Sequence, residues 1–469
     1  MSFKEAVLDT PVEARTWNGM RALESTLSKN VDLFFKIGAS RGKDITKDFE
    51  RAYHEDRDTA LRIIQWARDV RGGAGERTLY RQVMLFLEMN YKNDLLNTRL
   101  LSNLAEIGRW DDLLIFRTPE VKAQAFMLIN EALAANNGLC AKWMPRKGIE
   151  AVELRSALGW SPKFYRKRLV ELTKVVETQM CSKDWDAINF SHVPSVAMSR
   201  YTKAFGKNAP DAFTAYKEAL KKGDPNVKVN AGAVYPYDVV KTSKKGDAAL
   251  ADEMWKALPN FVGDAKILPL VDVSGSMHQK VGGYASKSDL MIIDVAVSLG
   301  LYCADKNTGA FKDLFLTFSS APKFVHLKGT LSQKIRQMET SDWGMSTDLH
   351  RAFDKILKVA VSKNVPAEDM PAVLMIMSDM QFNCCTGYDD SAIQMIQRKY
   401  ENAGYTMPVV VFWNLNAADN VPVRFDEKKT ALISGFSPSI MKSVLEADME
   451  MITPVGIMRK AIDSDRYAV

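Results

Sequence analysis

The stretch Ile267-Leu268-Pro269-Leu270-Val271-Asp272-Val273-Ser274-Gly275-Ser276 decides how the carboxy-terminal half of this 469-residue chain folds. Five apolar residues without polar alternation are the length of a strand, and a strand of that kind is covered on both faces. The run stops at an aspartate followed by two serines, so their oxygens gather at the carboxyl end of the strand. Outward from it, similar apolar runs recur at Leu314–Phe318, Phe324–Leu327, Val373–Met377 and Val409–Trp413. Helical patterns over Leu290–Ala304, Thr347–Val361 and Ser391–Asn402 separate them. Strands alternating with helices predict a Rossmann-like, doubly wound α/β domain over residues 263–469, with ligands at the carboxyl ends of its strands.

Two further segments match that first turn. Gly344-Met345-Ser346-Thr347-Asp348 precedes a helix and offers the Thr347 hydroxyl, and Val373–Met377 ends in Ser378-Asp379, which offers a second carboxylate. Hydroxyl and carboxylate oxygens without sulfur or imidazole suit a hard cation, Mg²⁺ or Mn²⁺. The set Asp272, Ser274, Ser276, Thr347 and Asp379 resembles the metal-ion-dependent adhesion site of von Willebrand factor A domains. That resemblance implies direct coordination by the hydroxyls, carboxylates acting largely through water, and an open position for an acidic residue of a protein partner.

Residues 1–262 read as a helical domain. Between Asp56 and Ala135, apolar residues return at helical spacing: Leu61, Ile64 and Ala67, then Leu79, Val83 and Leu87, then Leu100, Leu104 and Ile107. Breaks at Arg71-Gly72-Gly73-Ala74-Gly75, Tyr91–Asp94 and Gly108 make these helices short, as in stacked antiparallel pairs, though no repeat period is visible. Ser161-Pro162 predicts the start of a helix running from Lys163 to Met180. Further helices are expected at Pro210–Lys221 and Ala248–Leu258.

Net charge is +6, and its distribution is uneven. Residues 141–250 hold 20 Lys and Arg against 11 Asp and Glu, net +9, whereas residues 1–140 balance and residues 251–469 are slightly acidic. A basic excess confined to one segment points to an anionic partner, with a solvated lysine-rich helix surface as the plainer alternative.

Arg71-Gly72-Gly73-Ala74-Gly75-Glu76-Arg77, Ile107-Gly108-Arg109-Trp110-Asp111-Asp112, Tyr165-Arg166-Lys167-Arg168-Leu169 and Val193-Pro194-Ser195-Val196-Ala197-Met198 resemble a family of uncharacterised bacterial, plant and viral proteins. Those proteins join a helical domain to an A domain and are distantly similar to the TROVE proteins typified by the Ro autoantigen. The resemblance implies a HEAT-like ring or horseshoe followed by the A domain. It also implies a cytoplasmic, non-catalytic ribonucleoprotein component that binds small structured RNA or single-stranded RNA ends.

On one helix, Lys163, Arg166 and Lys167 share a face suited to phosphates, with Arg168 pointing elsewhere. Lys203 is a weaker candidate of the same kind. Arg71 and Arg77 flank a glycine turn that lacks the Lys-Ser/Thr ending of a nucleotide loop, so its first role is to join two helices, with Glu76 pairing an arginine. Arg109 reads first as a structural corner, an arginine stacked on tryptophan and held by carboxylates. All three arginines remain secondary candidates for RNA.

Other chemistry is disfavoured. The five cysteines have no metal-ligand or framework spacing and read as reduced thiols. The amino-terminal stretch lacks the apolar core of a secretion signal, and no apolar run is long enough for a bilayer. His278 and His350 lie near the proposed cation loops without a nucleophile to serve. Phosphatases built on a strand-end aspartate place a second acid two residues later, where this chain has Ser274. The competing function is a metal-dependent protein-interaction or assembly scaffold, viral or chaperone-associated, that binds no RNA.

Overall fold

The computed structural model describes residue 10 and residues 12–232, 234–283, 286, 288–318, 321–341, 347–383 and 392–469. A helical half precedes an α/β half. The expected Gly344–Ser346 part of the threonine loop, and Cys384 and Cys385, lie outside the described residues.

The amino-terminal hairpin consists of β1 (Glu13–Arg15) and β2 (Arg21–Leu23). The main sheet contains β3 (Ile267–Val271), β4 (Leu314–Thr317), β5 (Phe324–His326), β6 (Val373–Ser378), β7 (Val409–Asn414) and β8 (Thr430–Ser434), in the order β5-β4-β3-β6-β7-β8. Only β5 runs antiparallel to its neighbour. Every residue of β3, β6, β7 and β8 is buried, which explains their unbroken apolar character. β3 and β6 pair from Ile267–Val373 to Val271–Met377, so Asp272 and Ser378 leave neighbouring strands at the same level.

The helix Ile292–Lys306 packs on β3. It can approach closely because a Cβ on Gly300 would stand 2.3 Å from Val271 Cγ2.

Several expected boundaries change. The predicted Lys163–Met180 helix is two: Pro162–Leu172, capped by the Ser161 hydroxyl, and Val176–Cys181. Between them Thr173 leaves the helical conformation, its hydroxyl bonded to the Leu169 carbonyl and to Arg146. The expected helix starting at Thr347 begins at Leu349 instead, because the Asp348 side chain caps it by accepting from Arg351 N–H. Both β8 and the amino-terminal hairpin went unread in the sequence.

The two halves share one continuous apolar core. At one end, Lys29–Ile37 lies against β8: Gly38 N–H donates to Ser434 Oγ at 3.0 Å, Ser434 Oγ to Phe34 O at 2.8 Å, and Asn414 Nδ2 to Phe35 O at 3.0 Å. A side chain at position 38 is barred because its Cβ would meet the Ser434 carbonyl oxygen at 2.5 Å. At the other end, the helices Pro236–Lys244 and Ala248–Lys256 pack on Ile292–Lys306 and Leu331–Glu339, with Trp255 Nε1 donating to Asp305 at 2.9 Å. The first and last helices of the helical half therefore both seat on the α/β half.

Residues beside both helices also reach the glycine-rich turn. Glu76, in the glycine-rich turn, pairs with Arg41 at 2.6 Å, and Tyr235 donates to the Ala74 carbonyl at 3.3 Å. The turn joins the helices Arg57–Arg68 and Thr78–Asn90, as expected, and Arg41 is the arginine that Glu76 holds.

Candidate cation site and basic helix face

Asp272 is fully buried at the end of β3. Its Oδ1 accepts from the Ser274 N–H at 2.9 Å, and its Oδ2 accepts from the Ser378 hydroxyl at 2.6 Å. The hydroxyls of Ser274 and Ser276 are 3.0 Å apart, and Ser276 is hydrogen-bonded to Asp379. Four of the five expected oxygen donors thus gather at the carboxyl ends of β3 and β6. Thr347, fully buried, is held at their edge, where its hydroxyl bonds to Gln381 O at 2.8 Å and Asn383 Oδ1 at 3.1 Å.

Burial, and then the like charge of Asp379, pushes the Asp272 carboxyl above the ordinary aspartate range. Burial likewise raises Asp379, against hydrogen bonds from Ser276 and Gln381. Two adjacent buried carboxylates that form no ion pair with a described residue are costly when ionised. Their environment is therefore one that a cation would relieve, and the hydroxyl-rich donor set fits a hard divalent ion. Among the described residues no group of three or more His, Cys, Asp or Glu is arranged to hold a metal ion, so a cation here would depend on the serine and threonine hydroxyls.

Three residues here escaped the sequence reading. Ser378 was visible beside Asp379 but carried no expected role. Lys43 reaches in from the helical half, bonds the Asn416 carbonyl and brings positive charge towards Asp379. Gln381 joins Asp379 to Thr347. No local signal marks Lys43 or Gln381, because only the fold brings them here.

The nearby histidines have other contacts. His278 Nδ1 lies 3.2 Å from the Ser274 carbonyl. His350 sits between Asp354, at 3.3 Å, and Lys399.

The basic helix Pro162–Leu172 buries Tyr165 and Leu169, and the Tyr165 hydroxyl donates to Pro145 O at 2.9 Å. Its outer side exposes Lys163, Arg166 and Lys167, none of which forms an ion pair with a described residue. Phe164 is 50% exposed between them, its ring 5.0 Å from that of Trp160. Beside this helix runs a groove of about 720 Å³ whose lining includes Lys142, Lys174, Asn189 and His192.

The remaining candidates are distributed differently. Arg168 turns back to the Asn136 side chain and lies 3.4 Å from Glu171. Lys203 is exposed on Ser195–Asn208. Arg71 and Arg77 are exposed at the glycine-rich junction. Arg109 stacks 3.4 Å above Trp143 and pairs with Asp111 at 2.6 Å, so the corner is real but its tryptophan comes from a later helix rather than position 110.

Cys140, Cys181 and Cys303 are free thiols, and burial pushes Cys140 up to about 12. Among the described residues no helix is long and apolar enough to cross a membrane. A separate cavity of about 990 Å³ lies at the amino ends of β3, β6 and β7, opposite the oxygen cluster.

Comparison with known proteins gives three findings. Residues 16–116 and 150–264 match a domain of unknown function, DUF2828, and residues 266–464 match another, DUF7788. The uncharacterized protein L728 of Acanthamoeba polyphaga mimivirus is 30% identical over 512 residues, spanning 96% of this chain and 87% of the viral protein. The crystal structure of the Deinococcus radiodurans RO (RSR) protein aligns with a TM-score of 0.39 at 13% identity, over 93% of this chain and 100% of that one.

Proposed function

We propose that this chain, which belongs to the same family as mimivirus protein L728, is a non-catalytic RNA-binding protein whose α/β half holds a divalent cation for contact with a partner. The observation that carries the RNA reading is the outer face of Pro162–Leu172. Lys163, Arg166 and Lys167 stand exposed and without an ion pair among the described residues, Arg166 Nε donating to the Pro162 carbonyl, within the segment that holds net +9. Positive charges left free on one face serve phosphates, and an exposed aromatic ring such as Phe164 serves as a stacking surface for an unpaired base. The adjacent groove adds Lys174, while its Lys142 is paired with Glu177 at 3.6 Å. Small structured RNA, or a single-stranded end, is the substrate class this surface fits.

The test is fluorescence anisotropy with a small structured RNA across a salt series. Lys163→Ala, Arg166→Ala and Lys167→Ala together should flatten the slope of log affinity against log salt by about 2 to 3, close to one for each phosphate no longer neutralised. Affinity indifferent to both salt and this triple change would sink the RNA reading.

The cation half rests on the oxygen cluster. In a von Willebrand factor A-like arrangement Asp272, Ser274, Ser276, Thr347 and Asp379 would hold Mg²⁺ or Mn²⁺, and a bound ion would supply an open position for an acidic group of a partner. The chain's own contribution is to fix Asp272 between Ser274 and Ser378 and to tie Ser276 to Asp379. This arrangement also supports the second reading, a metal-dependent protein-interaction module without RNA. Partners retained after EDTA treatment, or by Asp272→Ala, would remove the cation from either reading.

A further inference from the structure

Gln381 uses every polar atom it has. Its N–H donates to Asp379 Oδ1 at 3.2 Å and its Nε2 to Asn420 Oδ1 at 3.2 Å. Its Oε1 accepts from the Trp17 N–H at 2.7 Å, and its carbonyl accepts from Asn18 Nδ2 at 2.6 Å and from the Thr347 hydroxyl at 2.8 Å. One residue on, the Phe382 carbonyl accepts from the buried Thr16 hydroxyl, and Asn383 forms an antiparallel bridge with Gly19. Thr16 to Gly19 form the turn of the β1–β2 hairpin, which is itself anchored by paired backbone bonds between Leu23 and Val421. Gln381 therefore links two candidate ligands, Asp379 and Thr347, to the amino-terminal hairpin.

The chemistry gives this link a direction. A hydroxyl offers a lone pair to a cation most readily when its proton is already committed to another acceptor, and such outer partners orient the ligand. The Gln381 carbonyl, at 2.8 Å, is the nearer of two such acceptors for Thr347, the other being Asn383 Oδ1 at 3.1 Å. Left to itself, a segment after a strand end would let that carbonyl turn away. Asn18 Nδ2 holds it directly, while Thr16 Oγ1 and the Trp17 N–H fix its surroundings through the Phe382 carbonyl and Gln381 Oε1.

We propose that the amino-terminal hairpin, acting through Gln381, is the outer support of the cation site, so that a segment 366 residues away in the chain sets cation affinity. Thr16, Asn18 and Gln381 are positioning residues in this scheme. The inference rests on the reading of Asp272, Ser274, Ser276, Thr347 and Asp379 as a cation site.

The experiment is calorimetric titration of the full chain with Mn²⁺ alone, comparing the unaltered protein with Thr16→Val/Asn18→Ala, Asn18→Ala and Met89→Ala. Removal of such outer partners typically weakens metal binding by about 10- to 100-fold. The double variant should fall in that range and Asn18→Ala below it. Met89→Ala should bind as the parent does, because its side chain is 83% exposed on the helix Thr78–Asn90, outside the hairpin. Amide exchange at Gln381 and Asn383 should quicken in the double variant without cation, a readout independent of Mn²⁺. Asn18→Ala serves alone if the double variant does not fold. Unchanged affinity and exchange in the folded variants would overturn the hairpin's role while the cation site stands. Absence of Mn²⁺ binding by the unaltered chain would instead overturn the site, and this inference with it.

Discussion

Tyr467, near the carboxyl terminus, donates its phenolic hydroxyl to Asp69 Oδ2 at 2.9 Å, across 398 positions of sequence. The same carboxylate is buried and pairs with Arg466, while Gln65 Nε2 donates to the Tyr467 carbonyl at 2.9 Å. The end of the chain is thereby fastened to the helical half. Burial alone would raise the Asp69 carboxyl, but hydrogen bonds from Arg466, the Arg71 N–H and Tyr467 outweigh it and hold the group below the ordinary aspartate range.

A depressed carboxyl stabilises the native state above the unfolded pKa of about 3.8 and loses that contribution as pH falls through the lower folded value. Acid should therefore release the carboxy-terminal segment first. Limited proteolysis with an acid-active protease as pH falls below about 3.8 should cut near residue 465 earlier in the transition than elsewhere, and Asp69→Asn should flatten that pH dependence.

Asp112 is fully buried and binds Arg68 at 2.7 Å and Arg81 at 2.6 Å, with Arg68 itself only 3% exposed. Removing one member of a buried charge network leaves the other without compensation and costs about 3 to 5 kcal/mol. Urea denaturation of Asp112→Ala should show a loss of that order. A loss near that of a surface substitution would mean that water reaches Arg68.

Gly300→Ala tests the contact between helix and sheet. The added Cβ would overlap Val271 Cγ2, and overpacking of this kind costs about 1 to 3 kcal/mol. Because Val271 directly precedes Asp272, the variant should also weaken Mn²⁺ binding, measurable by the same titration.

Asp379→Asn should act in opposite directions with and without cation. It removes one of two neighbouring buried carboxylates, so the cation-free protein should gain stability on the order of 1 kcal/mol, about the worth of one pKa unit. The upward shift in Tm that Mg²⁺ gives the parent should vanish in the variant. Thermal melts with EDTA and with excess Mg²⁺ separate the two effects.

The α/β half was largely legible because its strands announce themselves: Val373–Met377 and Val409–Trp413 are apolar throughout, and buried parallel strands need no alternation. β8 gives a weak signal because Thr430 and Ser434, both buried, form its ends and leave only Ala431–Ile433 apolar; Ser434 serves Phe34 and Gly38 from the other half. The break at Thr173 was invisible for a similar reason, since the bond from Arg146 that engages it comes from 27 positions earlier.

By itself the sequence determined the order of helical and α/β halves, the strand ends that carry Asp272 and Asp379, and the segregation of basic charge. Those properties are local: apolar periodicity, turn residues and charge counts act over a few neighbouring positions. Only the tertiary structure decided that the Arg71–Glu76 turn is a junction held by Arg41, that Arg109 stacks on Trp143, and that Gln381 binds Thr347, Asp379 and the hairpin together. Each depends on hydrogen bonds or ring contacts between residues far apart in the chain, and such pairs leave no periodic trace in either segment.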